Sequence, residues 1–156
     1  MKTLIAVAAA SLCLLALGAR AQNAPAAAAP QSAANSAGIA GLGEIMTLQQ
    51  LRHIKLWFAG RAGNWALADY EIGELNGGFE DVDQLLGGGT VEKMVGAPLK
   101  DLQKAVDDKS STAFAAAYDR LSAGCNRCHH ALDHAFIAIQ RPTSLPYSDQ
   151  SFAPAK

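Results

Sequence analysis

Apolar residues recur at steps of three and four along most of the chain, and no segment alternates in the two-residue rhythm of a strand. Leu48, Leu51, Ile54 and Phe58 define a first helix over about 44–59, stopped by Gly60-Arg61-Ala62-Gly63. Asn64 is placed to cap a second helix over 65–86, whose stripe runs Trp65, Ala68, Ile72, Leu75, Phe79, Val82 and Leu86 before Gly87-Gly88-Gly89 ends it. Each glycine of Gly77-Gly78 costs about 1 kcal/mol relative to alanine in a helix interior, so this pair predicts a kink or a close approach by a neighbour. Thr90 is placed to cap a short turn, and Pro98 suits the first position of a third helix carrying Leu99, Leu102, Ala105 and Val106, which Asp107-Asp108 ends. The fourth begins at Ser110 or Ser111 and carries one stripe from Phe114 through Tyr118, Leu121, Cys125, Cys128 and Leu132 to Phe136. Pro142 and Pro146 forbid further helix, leaving 142–156 as an irregular tail placed to lie back over the rest. Four amphipathic helices with short links predict an all-α fold, an antiparallel up-down-up-down four-helix bundle over 44–141.

The chain before the first helix has a different texture. Lys2, the apolar run Leu4 to Leu17 and the small-x-small sequence Ala19-Arg20-Ala21 read as an export signal cleaved near Ala21, which places the mature protein in a periplasm. The run is shorter than the roughly twenty residues a span requires, so no stable membrane span is expected. Leu12 precedes Cys13 where a lipoprotein site would want a small residue, which argues against lipidation. Residues 22–43 are Ala, Pro, Gln, Asn, Ser and Gly with almost nothing large to bury, a disordered spacer by composition. The full chain has 13 basic and 14 acidic residues; without Lys2 and Arg20 the count is 11 against 14, a mature net charge of −3. Nothing in this balance is a nucleic-acid footprint.

Signal cleavage also removes Cys13 and leaves two cysteines, both in Cys125-Asn126-Arg127-Cys128-His129. C-x-x-C-H is the attachment signature of a c-type haem. Two thiols three positions apart can reach both vinyl groups on one porphyrin edge, and the adjoining imidazole can ligate the iron. Positions i, i+3 and i+4 share one helical face, so the set is coherent on the fourth helix. A thioredoxin-like redox pair, half of a zinc site or a structural disulfide would use the same thiols. A redox pair wants a strand-to-helix setting, which is absent; a zinc site wants a second ligand pair, for which only His130 and His134 offer themselves. Two free thiols in an oxidising compartment would normally pair, whereas thioether formation consumes both. One covalent haem c on the C-terminal helix is the expectation.

A haem motif on the fourth helix of a bundle, with only 27 residues after His129, resembles the class II c-type cytochromes, the group containing cytochrome c′ and its low-spin relatives. The resemblance rests on Cys125, Cys128 and His129 and covers about 44–138. It implies thioethers at Cys125 and Cys128, His129 as proximal iron ligand, and a sixth position held by a methionine from the start of the first helix or by no protein group. Met46 is the candidate, and a thioether there would favour ferrous iron; core filling is the ordinary fate of such a residue. His53 is the rival, about 10 Å further along the helix at 1.5 Å per residue. Met46, His53 and Trp57 share a face. Methionine ligation implies an electron carrier, an open sixth position a cytochrome that binds nitric oxide or carbon monoxide. A haem subunit of a larger redox complex is a third reading. Asp69, Glu71, Glu74, Glu80, Asp81 and Asp83 on the second helix could steer a basic redox partner, though a solvated helix face is their ordinary role. The resemblance also implies a homodimer through the first two helices. Ser, His and Asp residues show no spacing that assembles an acid–base or nucleophilic site, so an enzyme is not expected.

Overall fold

The computed structural model describes residues 41–156; the stretch expected to be an export signal and most of the expected 22–43 spacer lie outside them. The described chain is a helical bundle of α1 (Leu42–Arg61), α2 (Trp65–Leu86), α3 (Ala97–Asp107) and α4 (Ser111–Ala131), without strands. The cap predicted at Asn64 forms, its side chain accepting from Leu67 N–H, and at the start of α4 the Ser110 hydroxyl accepts from Ala113 N–H. Glu44 caps α1 by accepting from Gly41 N–H.

Side-chain pairings fix the directions of the helices. Between α1 and α2, Gln49 reaches Leu75, Arg52 reaches Glu74 and Lys55 reaches Glu71, so numbers rise on one helix as they fall on the other. The same inverse order holds for His53–Ser122 and Trp57–Phe114 between α1 and α4, and for Met94–Arg127 and Asp101–Arg120 between the third segment and α4. Neighbouring helices are therefore antiparallel. Trp57, Phe114 and Tyr118 pack face to tilted face at the centre, with Leu56, Leu102 and Leu121 fully buried around them.

α2 runs unbroken over its expected span, and Gly77-Gly78 serves the expected close approach, since a Cβ at Gly78 would lie 2.5 Å from Gln49 Oε1. Other details differ from the sequence expectation. Glu71 is not on a solvated face: it is fully buried, in charge contact with Lys55 Nζ, and accepts no hydrogen bond. Asp83, rather than Thr90, caps the turn after α2, its carboxylate accepting from Val91 and Glu92 N–H at 2.8 and 3.1 Å. Helical backbone then begins at Thr90 and passes through a π turn, Glu92–Gly96, into α3. Pro98 has no N–H for the Met94 carbonyl, and that oxygen accepts from Arg127 Nη2 at 2.9 Å.

The predicted stripe to Phe136 does not stay on one helix. α4 ends at Ala131, and Asp133 turns the chain with φ of 60°, a left-handed conformation that a short polar side chain tolerates. No proline or glycine marks this stop. The chain then returns along α4, meeting His129 through Ile137, Asn126 through Ile139 and Asp119 through Arg141. Phe136 on this returning strap is 80 % exposed. Farther on, Phe152 is buried against Phe58, and Asn64 donates to the Ala153 carbonyl, so the tail does lie over the bundle.

Candidate functional site

α1 and α4 meet closely around Trp57 and separate toward the start of α1, where a cleft of about 250 Å³ opens. α1 contributes Met46, Gln49 and His53 to its walls; α2 contributes Leu75, Phe79 and Val82; Val91 and Val95 close another side. Cys125, Cys128 and His129 stand together on the α4 wall, as their shared helical face requires. Leu132, His134, Ile137 and Ile139 of the strap complete the lining. The surroundings are mainly apolar, with polar groups concentrated on α1 and at the end of α4.

His129 is oriented by its Nδ1, 2.7 Å from the Ile137 carbonyl oxygen. A carbonyl only accepts, so Nδ1 carries the proton and neutral His129 keeps its lone pair on Nε2. A metal-binding imidazole needs this second contact to fix tautomer and ring angle. Burial, with the neighbouring Cys128, pushes the Cys125 thiol up to about 12, and burial with Asp83 also raises Cys128. Both cysteines are free thiols. Their environment is opposite to the electropositive one that activates a thiolate for disulfide exchange. Among the described residues, no three His, Cys, Asp or Glu side chains converge into a metal-holding group. The donor set fits a porphyrin bound by its edge: two neutral thiols and one free imidazole nitrogen on the same wall of an apolar cleft.

The α1–α4 pairing supplies a register. His53 faces Ser122, and Trp57 faces Tyr118 with ring centroids 4.8 Å apart. Carried seven residues toward the start of α1, the same inverse order sets Met46 level with His129, and both line the cleft. His53 lies about two turns deeper. Both its ring nitrogens are engaged: Nε2 is 2.9 Å from Ser122 Oγ and Nδ1 is 2.8 Å from Tyr118 Oη. Either bond would have to break for His53 to ligate a metal. His130 is exposed outside the lining, while His134 lines the mouth with Nδ1 held by the Leu132 carbonyl.

Burial lowers the His53 pKa from 6.5 to about 4. Below pH 6.5 the unfolded chain takes up a proton that the folded chain refuses. Stability is therefore full above that pH and falls by about 3 kcal/mol as the pH approaches 4. Urea unfolding at pH 7 and pH 4.5 measures this, and the fall should largely disappear in His53→Gln. An undiminished fall in that variant would assign the effect to another group.

Sequence reading missed three contributors to the site. Ser122 and His53, 69 positions apart, form a pair that only the register creates. Ser122 Oγ donates to the Tyr118 carbonyl at 3.0 Å and lies outside the cleft lining, so it is not presented as a nucleophile. Gly124 lets α4 approach the π turn, since a Cβ there would lie 2.8 Å from the Met94 carbonyl oxygen. Asn126 bonds twice to Ile139, with Nδ2 donating to its carbonyl at 2.9 Å and Oδ1 accepting from its N–H at 2.7 Å. A polar residue after the first motif cysteine was the only trace of that clamp in the sequence.

No helix among the described residues is long and apolar enough to cross a membrane. Comparison with models of known families, with curated proteins and with solved structures finds no match to this chain.

Proposed function

We propose that this chain is an exported monohaem c-type cytochrome that carries electrons in the periplasm, similar to the low-spin class II cytochromes. The observation that carries the reading is the α4 wall: Cys125, Cys128 and His129 face one apolar cleft, and the Ile137 carbonyl leaves His129 Nε2 free. Cys125 and Cys128 would hold the haem through thioethers, with His129 as proximal ligand. A bound haem supplies one-electron chemistry at its iron. The protein's part is to hold that centre in a cleft of low polarity, because burial tunes its potential. Met46 is the sixth ligand in this reading, favoured over His53 by its level with His129 and by the engagement of both His53 nitrogens. The acidic mature charge and exposed Glu80 and Asp81 suit a basic redox partner.

Optical spectra of oxidised and reduced protein test the ligand set. A low-spin ferric spectrum with a sulfur-to-iron band that vanishes in Met46→Ala is expected. A high-spin spectrum unchanged by that substitution would assign the chain to five-coordinate binding of nitric oxide or carbon monoxide instead.

A further inference from the structure

Asn126 pins the strap at Ile139 with a donor and an acceptor, a pairing that neither alanine nor a carboxylate reproduces. Two residues earlier on that strap, the Ile137 carbonyl receives the Nδ1 proton of His129. Other restraints on the strap lie on either side of this contact: His134 N–H donates to the His129 carbonyl, His134 Nδ1 bonds to the Leu132 carbonyl and Ile137 N–H donates to the His134 carbonyl, while Arg141 pairs with Asp119, donates to the Ala115 carbonyl and stacks over Trp57. Asn126 itself lies outside the cleft lining.

We propose that Asn126 is a positioning residue for the iron centre. By clamping Ile139 it keeps the Ile137 carbonyl on Nδ1, and thereby fixes the tautomer in which His129 offers Nε2 to the cleft. The bond at Nδ1 increases the basicity of Nε2, and a stronger donor favours ferric over ferrous iron. The effect on iron rests on the haem reading of the same cleft, whereas the effect on the imidazole does not.

Two measurements separate these parts. In haem-free protein, nitrogen-15 NMR should find wild-type His129 as the Nδ1–H tautomer and Asn126→Ala as a mixture containing the Nε2–H form. In protein loaded with haem, Asn126→Ala should raise the ratio of ferrous to ferric iron several-fold at a fixed ambient potential. Asn126→Asp still accepts from Ile139 N–H but cannot donate to its carbonyl, so it should fall between the two and serves if the alanine variant does not fold. An unchanged tautomer and an unchanged iron ratio in a helical variant would overturn the proposal. A wild-type chain that acquires no haem would overturn the haem reading, and the tautomer measurement would still decide the role of Asn126.

Discussion

Replacing Cys125 and Cys128 together by serine is expected to abolish covalently held haem, leaving no pigment on the polypeptide after extraction with acidified acetone. Both sulfurs stand on the α4 wall beside His129, and a serine hydroxyl does not form the thioether that survives extraction. Either single substitution should leave one link and an altered spectrum. The bundle should persist in all three variants, because its most deeply buried side chains, such as Phe114, Tyr118 and Leu56, belong to the layer around Trp57. Pigment that resists extraction in the double variant would show that haem is held elsewhere.

A second large effect lies away from the cleft. Lys55→Met should destabilise the fold by about 3–5 kcal/mol, because it leaves a buried Glu71 carboxylate without its counter-charge. Glu71 has 1 % side-chain exposure and Lys55 18 %, so water cannot easily substitute for the ammonium. The cost exceeds that of an exposed pair such as Lys104–Asp108, whose charges water screens. Combining Lys55→Met with Glu71→Leu removes both charges and should recover most of the loss. Urea unfolding of the wild type and these two variants measures this, and a loss below about 1 kcal/mol in Lys55→Met would mean that the carboxylate is solvated.

Helix positions and the motif face were legible because they depend on local rules. The three-and-four spacing of Trp65 to Leu86, the cap Asn64 and the helix start at Ser110 or Ser111 are properties of short stretches, and Cys125, Cys128 and His129 share a face on any α-helix. What depended on pairing between distant segments was not legible. Glu71 looks solvated until Lys55 and the α1–α2 interface enclose it, and the level of Met46 follows only from His53 opposite Ser122. The end of α4 was hidden for a local reason. Leu132 and Phe136 continue the apolar spacing, while the break falls at Asp133, a residue tolerated within helices as well as in left-handed turns. The strap that orients His129 therefore occupies a stretch whose pattern still reads as helix.

The most direct measurement is the mass of the exported wild-type chain after denaturation and acid-acetone extraction. The expected mass is that of the cleaved polypeptide plus one haem, with neither Cys125 nor Cys128 available to a thiol reagent. A mass equal to the polypeptide alone, with both cysteines reactive after reduction, would contradict it.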